Sequence, residues 1–422
     1  MTKSPYRSFF VLWTGQALSL IGSQAVQFAI IWWLTLKTES AAILAAATFV
    51  GLLPQVALGP FIGALVDRWN RKRTMLLADS TVALASAVLA VMFWTGNASV
   101  PHVFVLLLVR ALGAAFHAPA MLASTTLMVP EEHLARIQGM NQGLQGGLLI
   151  ISAPLGALLY AGLSMAGVMV VDVVTAAFAV LPLLWIHVPQ PSSDLAAAQT
   201  SNAPHSAHRL LAEVRAGISY LWQLEGHFSL LLIAALINLF LVPAFSLLPL
   251  LVSERGGTAL ELGWINVGFG VGSLVGGIAL GVWGGFRRRI VTSLCALIGL
   301  GLSTALLGAS AAAFISISVA AIFAVGAMAA LTNGPIQAIV QATILPEFQG
   351  RVFTLYSSLA GLTAPLGLAV AAPVADWLGV EAWYLVGGAV CTAMGIAGFL
   401  IPGLMRIEQS SIAAQGMSAE AL

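Results

Sequence analysis

Ionisable residues are scarce in this sequence, so those inside apolar stretches are the first candidates for chemistry. Only 8% of the 422 residues are Asp, Glu, Lys or Arg, yet Arg110 and Asp172 each lie inside a long apolar run. Charged residues at membrane depth are rare and usually functional. His117 follows Arg110 by seven residues, so the two share a helical face. The pattern predicts a proton site in which Asp172 carries the proton.

The other two residues have defined roles in this interpretation. Arg110 would favour the charged form of Asp172, because an opposite charge nearby has that effect. His117 would be a second titrating group, since histidine changes its charge near neutral pH. Two alternatives stay open. Asp172 is about as well explained as a structural residue bonded to hydroxyls or backbone. For His117, a neutral, hydrogen-bonded side chain is the favoured explanation.

Uncharged polar side chains recur at helical spacing among apolar residues. They would suit a large, mostly apolar ligand with several hydroxyls or carbonyls. Hydrogen bonding between helices is the alternative explanation for each of them. The candidates for a substrate cavity are Gln16, Ser23, Gln27, Gln142, Asn238, Asn266, Asn333 and Gln337.

Other kinds of chemistry find little support. No nucleophile–base pair, metal-ligand cluster or phosphate-binding loop is recognisable, so we expect neither an enzyme nor a bound cofactor or metal. Cys295 and Cys391 fall inside apolar runs and fit no disulfide framework. The net charge of +1 does not favour nucleic acid as a partner.

The elements that must position these residues are membrane-spanning helices. Hydrophobic residues make up 59% of the chain, and apolar stretches of about 20 residues recur along it. The predicted fold class is an all-α polytopic membrane protein with twelve transmembrane helices in two six-helix bundles. The predicted spans are 9–36, 41–66, 75–95, 102–127, 139–163, 167–187, 228–252, 261–285, 290–309, 313–340, 352–376 and 382–404.

A polar break from Pro189 to about Glu225 divides the chain. The predicted domains are an N-terminal six-helix bundle at 1–188 and a C-terminal one at 227–405. A central loop at 189–226 joins them, and a tail follows at 406–422. Apolar residues at helical spacing within 208–224 predict an amphipathic helix on the membrane surface. An extension of the seventh span explains that segment about as well.

The basic residues indicate the orientation. If the N-terminus is cytoplasmic, only Lys37 and Arg255 among the 17 Lys and Arg residues face outward, and Arg110 lies within a span. This distribution satisfies the positive-inside rule. We therefore expect both termini and the central loop in the cytoplasm.

A cluster of charges follows the second span. The sequence GALVDRWNRKR contains Gly63, Asp67, Arg68, Arg71 and Lys72, and a weaker copy, GVWGGFRRR at 281–289, follows the eighth span without the acid. A second repeat is the tetrapeptide Ala-Pro-Leu-Gly. It supplies Pro154 and Gly156 to span five, and Pro365 and Gly367 to span eleven. Proline permits a helix to bend, and small residues allow close packing. Such internal repeats are typical of transporters with two pseudo-symmetric halves.

These features resemble the major facilitator superfamily, and within it a drug-exporter branch that includes macrolide efflux proteins and the enterobactin exporter. The stretches that carry the resemblance are FVLWTGQALSLIGSQAVQFAIIWW, GALVDRWNRKRTMLLADS, TLMVPEEHLARIQG and NGPIQAIVQATILPEFQGRVF. The resemblance implies that spans one, four, seven and ten line a central cavity. It links Arg110 and the following Gly113 to proton coupling, and the two Pro-Gly elements to an antiporter-type bend.

The resemblance also implies a conformational latch. Asp67 would lie near the N-terminus of span eleven, where backbone N–H groups and the helix dipole favour a carboxylate. Gly63, Arg68, Arg71 and Lys72 would complete the latch. The alternative is that these basic residues only set the topology.

The function that follows is a secondary-active, proton-coupled exporter of hydrophobic or amphipathic small molecules, with the proton as coupling ion. The expected partners are a small-molecule substrate and the lipid bilayer, and the expected state is a monomer in a bacterial plasma membrane. Two alternatives remain. One is an exporter of a specific metabolite such as a siderophore, and the other is a membrane receptor or assembly partner that transports nothing.

Overall fold

The computed structural model describes residues 5–189, 226–310, 315–344 and 346–408. Within these ranges the chain is helical and contains no strand. The predicted amphipathic segment at 208–224 and most of the predicted tail, 409–422, lie outside the described residues. The helices are α1 Pro5–Thr38, α2 Ala41–Arg68, α3 Arg71–Trp94, α4 Val100–Met128, α5 Glu131–Gly162, α6 Met165–Trp185, α7 His227–Glu254, α8 Ala259–Trp283, α9 Arg289–Ala309, α10 Ile315–Thr343, α11 Pro346–Leu378, α12 Val380–Leu400 and α13 Pro402–Met405.

Twelve of these helices are long and apolar enough to cross a membrane. A bilayer offers the backbone no hydrogen-bond partners, so a spanning segment must satisfy its own N–H and C=O groups, as an α-helix does. The prediction of an all-α protein with twelve spans is confirmed. Several helices begin earlier than their apolar runs, most clearly α5, which starts at Glu131 rather than near residue 139. The helix begins before the apolar run because polar residues at the membrane surface form the same backbone hydrogen bonds.

Two polar side chains fix the starts of helices in the first half. The side chain of Asn70 accepts a hydrogen bond from the backbone N–H of Arg73 at 3.0 Å and so caps α3. Ser164 accepts in the same way from the N–H of Gly167 at 3.3 Å, at the start of α6. Caps of this kind satisfy N–H groups that the first turn of a helix leaves without partners.

The described helices fall into two compact units. Unit 1 contains residues 5–39, 46–189 and 258–264. In it, α1 packs against α5 and α6, and α3 packs against α4 and α6. Glycines make the closest approaches possible: a Cβ atom at Gly22 would lie 2.4 Å from Thr175 Oγ1 of α6, and one at Gly156 would lie 2.4 Å from the carbonyl oxygen of Ala25 in α1.

Unit 2 contains residues 40–45, 226–257 and 265–408 among those described. In it, α7 packs against α11 and α12, and α9 packs against α10 and α12. A Cβ atom at Gly367 of α11 would lie 2.1 Å from the carbonyl oxygen of Leu239 in α7. The two Ala-Pro-Leu-Gly repeats therefore occupy matching positions. Each places its glycine against the first helix of its own six-helix series, α1 or α7.

The end of the described chain is tied to the start of α9. Leu404 within α13 and Ile407 just after it are fully buried. Glu408 Oε1 then accepts a hydrogen bond of 2.9 Å from the backbone N–H of Ile290, in the first turn of α9. A carboxylate at a helix N-terminus satisfies a free N–H group and complements the helix dipole.

Candidate functional site

A cavity of about 780 Å³ lies within unit 1 and is lined by residues of α1 to α6. This volume is in the range of pockets that hold drug-sized ligands. The walls of such pockets are mostly apolar and carry a few polar groups that orient the ligand. Most of the lining is apolar, including leucine, alanine, valine and methionine side chains. The polar and ionisable lining residues are Gln16, Ser19, Ser23, Gln24, Gln27, Asp79, Arg110, His117, Thr125, Asn141 and Gln145.

Asp172 and Arg110 form an ion pair inside unit 1, as part of a group that we call the Asp172 cluster: Ser23, Ser86, Arg110 and Asp172. Asp172 accepts hydrogen bonds from Ser23 Oγ at 2.9 Å and from Ser86 Oγ at 2.6 Å. Arg110 Nη1 donates to Asp172 Oδ2, and Arg110 Nη2 donates to the carbonyl oxygen of Ser23 at 2.6 Å. The side chain of Asp172 is 1% exposed and that of Arg110 is 11% exposed.

The cluster joins four helices, since its members come from α1, α3, α4 and α6. A buried ion pair is stable only when further hydrogen bonds satisfy its remaining donors and acceptors. Both carboxylate oxygens of Asp172 and both terminal nitrogens of Arg110 have such partners. The arrangement therefore holds the two charges in place within the membrane.

A second ionisable group, the Asp79 cluster, consists of Gln16, Asp79 and His117. Gln16 Nε2 donates to Asp79 Oδ2 at 2.9 Å. His117 Nε2 lies 3.6 Å from Asp79 Oδ1, and the side chains of Asp79 and His117 are 16% and 21% exposed. All three residues line the cavity. Among the described residues, His117 Nε2 has no hydrogen-bond partner although it is buried.

The two clusters repeat along the same helices. Seven residues separate Gln16 from Ser23 on α1, Asp79 from Ser86 on α3, and Arg110 from His117 on α4. Seven residues are two helical turns, so the clusters form two polar layers roughly 10 Å apart. The order on α4 is reversed because α4 runs antiparallel to α1 and α3.

Gly113 lies between the two layers on α4. A Cβ atom there would be 2.7 Å from Val82 Cγ2 of α3, so glycine lets α4 approach α3 closely. Gly113 therefore helps to hold Arg110 and His117 near their partners. Its side of α4 also lines the cavity.

Some, but not all, of the polar residues predicted to form a cavity in the first half of the chain line this one. Gln16, Ser23 and Gln27 line it, whereas Gln142 is exposed and does not. Its neighbours Asn141 and Gln145 line the cavity instead, because residues four apart share a helical face and Gln142 points about 100° away from Asn141. Asn141 Oδ1 also accepts a hydrogen bond of 2.8 Å from Trp13 Nε1.

The other predicted cavity residues belong to unit 2. Asn238 Nδ2 donates to the carbonyl oxygen of Ala234 at 2.9 Å, and Asn333 Nδ2 donates to that of Ala329 at 3.0 Å. In both cases the acceptor is a carbonyl group four residues earlier in the same helix. Asn266 is half-buried, and Gln337 is exposed.

The loop predicted to act as a latch is described in part. Gly63, Asp67 and Arg68 end α2, but their side chains lie outside the described part of the structure. Arg71 Nη1 donates to the carbonyl oxygen of Ala123 at 2.8 Å, five residues before the last residue of α4. Lys72 Nζ donates to the carbonyl oxygen of Leu184 at 3.1 Å, in the last turn of α6. A basic side chain in the last turn of a helix is favourable because carbonyl groups there lack partners.

Asp79 is the functional candidate that the sequence analysis missed. It lies eight residues after Arg71 and only four residues into the predicted third span, so its position suggests the membrane-surface end of that span. The shared spacing of seven between polar residues on α1, α3 and α4 could have indicated it. Within the described ranges, no group of three or more His, Cys, Asp and Glu residues is placed to hold a metal ion.

Comparison with known sequences decides the family. Residues 12–258 match the Major Facilitator Superfamily. The chain belongs to this superfamily. Its relatives include macrolide efflux protein A of Streptococcus pyogenes, 33% identical over 95% of this chain and 97% of that protein. The protein of the same name from Enterococcus faecalis is 31% identical over 78% of this chain and 99% of that protein.

A further relative is the multidrug efflux pump Tap of Mycobacterium tuberculosis, 27% identical over 89% of each chain. Solved structures share the fold at low identity. The nucleoside transporter NupG superposes with a TM-score of 0.71 at 13% identity, covering 94% of this chain and 100% of that chain. A bacterial homologue of the iron transporter ferroportin gives 0.70 at 15% identity, covering 94% and 99%.

Membership of the Major Facilitator Superfamily makes the protein a multi-pass membrane transporter of small molecules and not an enzyme. The resemblance to this superfamily, and to macrolide efflux proteins within it, is confirmed. The structural neighbours confirm the fold, in agreement with the twelve helices.

Proposed function

We propose that this superfamily member is a secondary-active exporter of hydrophobic or amphipathic small molecules of the macrolide type, driven by exchange with protons. The observation that carries the proposal is the cavity of about 780 Å³ in unit 1, which is mostly apolar and also contains uncharged amides and ionisable groups. Apolar walls suit the ring of such a molecule, and amides suit its hydroxyls and carbonyls. The macrolide and multidrug efflux proteins among its relatives favour the same substrate class.

Proton coupling is supported by ionisable residues at membrane depth. Arg110 and His117 line the cavity, and Asp172 is bonded to Arg110 directly beside it. Burying charged groups in a membrane protein is costly, and they commonly mark proton relays. We assign the coupling to these residues, with the proton as the transported ion and without a bound cofactor.

Alternating access would use the two six-helix halves, 1–188 and 227–405, joined by the central loop. We assign the latch to Gly63, Asp67, Arg68, Arg71 and Lys72. The carbonyl contacts of Arg71 and Lys72 near the ends of α4 and α6 support a role in holding that end of unit 1 together.

The bends at Pro154 and Pro365 complete this assignment. Gly156 brings α5 against α1, and Gly367 brings α11 against α7, each within its own unit. A bend in α5 or α11 would therefore also displace the helix packed against it. The distribution of basic residues supports a bacterial plasma membrane location with both termini in the cytoplasm. We propose that the monomer is the working unit.

Reconstituted transport tests the function. Purified protein in liposomes should accumulate a labelled macrolide when a pH gradient is imposed, with proton movement that begins and ends with the uptake. Liposomes without protein, and liposomes whose gradient is collapsed by a proton ionophore, are the controls. Equal uptake with and without the gradient, and no proton movement, would rule out proton-coupled export.

A further inference from the structure

Asp79 is a carboxylate inside the cavity that the predicted proton site did not include. We propose that Asp79, paired with His117, is a one-proton exchange site at which the protonated amine of an amphipathic substrate displaces a proton. The inference rests on the proposed export function and narrows its substrate class to hydrophobic molecules that carry one basic amine.

The two acids in the core of unit 1, Asp172 and Asp79, differ in accessibility. Asp172 is 1% exposed, is absent from the cavity lining, and accepts hydrogen bonds from Ser23, Ser86 and Arg110. A ligand could reach it only by breaking those bonds. Asp79 is 16% exposed and lines the cavity. Asp79 is therefore the acid that a molecule in the cavity can contact.

Asp79 has unused hydrogen-bonding capacity. Its Oδ2 atom accepts from Gln16 Nε2 at 2.9 Å. Its Oδ1 atom is 3.6 Å from His117 Nε2, which is too long for a hydrogen bond. Within the described chain, His117 Nε2 has no hydrogen-bond partner either. Asp79 and His117 thus both line the cavity, and a carboxylate oxygen and a ring nitrogen lie 3.6 Å apart with room for a proton or a donor at the carboxylate.

The helices around the Asp79–His117 pair bring few other charges close to it. Helix α3 packs against α4 and α6, and α1 faces Asp79 through the uncharged Gln16. From α4, the facing ionisable groups are His117 and, two turns away, Arg110; from α6 it is Asp172, whose charge Arg110 balances. The basic residues that begin α3 lie about two turns from Asp79 on its own helix. The charge that changes at the cavity wall is therefore that of the Asp79–His117 pair.

The charge balance follows directly. With Asp79 ionised and His117 neutral, the pair carries −1. One bound proton brings the pair to zero. A substrate ammonium group also brings it to zero, and the proton leaves to solvent through the open cavity. Outward movement of one monovalent cation against inward movement of one proton transfers no net charge. Transport through this site should follow the pH gradient and should not respond to the membrane potential.

Equilibrium binding to the purified full-length protein provides the test. The probes are erythromycin, a macrolide with one dimethylamino group, and its N-oxide, which lacks a basic amine. In weakly buffered solution, at a pH low enough for the free pair to hold its proton, wild-type protein should release about one proton per erythromycin bound. Its Kd for erythromycin should rise with falling pH, by up to about tenfold per pH unit, because proton and ligand exclude each other. The N-oxide should release no proton.

The variants separate charge from shape. Asp79→Asn should abolish proton release and weaken erythromycin binding at least tenfold, while N-oxide binding stays within about twofold. Asp79→Glu should retain proton release. The matched control is Asp376→Asn, an exposed carboxyl in α11. Retained N-oxide binding by Asp79→Asn shows that the variant is folded.

Three results would overturn the inference. The first is proton release by Asp79→Asn at the wild-type level. The second is the absence of proton release by wild-type protein that binds erythromycin. The third is an equal loss of binding to both probes in Asp79→Asn despite an unchanged melting temperature. Such results would leave the proposed export function intact. If wild-type protein bound neither probe, the proposed macrolide-type substrate class would fail, and this inference with it.

Discussion

Removing one member of the Arg110–Asp172 pair should destabilise the protein far more than removing both. The pair is almost fully buried, with side-chain exposures of 11% and 1%. Arg110→Met leaves Asp172 without its cation, and Asp172→Leu leaves Arg110 without its anion. Breaking a buried pair in this way costs about 3–5 kcal/mol, whereas replacing both partners with apolar residues is often neutral. The double variant should therefore be more stable than either single variant.

Thermal unfolding in detergent, followed by tryptophan fluorescence, measures the effect. For a unit of about 150–250 residues, 1 kcal/mol shifts Tm by about 2–4 °C, so each single variant should lose roughly 6–20 °C. The double variant should recover most of this loss, with a coupling free energy of at least about 2 kcal/mol. The matched controls are Arg287→Met and Asp376→Leu, two exposed charges, whose effects should stay within about 0.5 kcal/mol.

Additive losses would refute the reasoning. If the double variant lost the sum of the two single effects to within about 0.5 kcal/mol, the two residues would be energetically independent. The four-helix cluster would then owe its stability to Ser23 and Ser86 rather than to the ion pair.

Three further predictions use the same unfolding assay. Gly156→Val should lower stability by about 1–3 kcal/mol or more, because a Cβ there meets the Ala25 carbonyl oxygen at 2.4 Å, while Gly143→Ala, in open space, should not lower it. Asn70→Ala should cost about 0.5–2 kcal/mol through loss of the α3 cap, and Asn70→Asp should retain it. Tyr384→Phe should cost about 1 kcal/mol, since the tyrosine hydroxyl donates to a backbone carbonyl at 2.5 Å. An unchanged stability in any of the three variants would contradict the contact that the variant removes or disturbs.

The fold was predictable because the membrane imposes it locally. Each span must be apolar over about 20 residues, and this is visible without knowledge of its neighbours. The repeated tetrapeptides were also visible, and the structure places Gly156 and Gly367 in matching contacts with α1 and α7. The starts of α5 and α11 were less predictable, because helices continue into polar sequence at the membrane surface.

The site was only partly predictable, because it depends on the rotation of each helix. Arg110 and Asp172 were recognisable as rare intramembrane charges, and the structure pairs them. Gln142 and Asn141 have nearly the same chemistry, and only packing shows that Asn141 faces the cavity. Asp79 was missed because its proximity to a basic loop suggested the membrane surface. Its partners, Gln16 and His117, come from helices far away in the sequence.

The contact between Glu408 and Ile290 affects how the protein can be handled. The loop before α9 lacks an acid at the position where its first copy has Asp67, since Gly285 stands there. Glu408 instead brings a carboxylate to the first turn of α9 from the far end of the chain. Shortening the protein before this residue would leave α9 without that acceptor. Truncated variants made for purification should therefore retain residue 408.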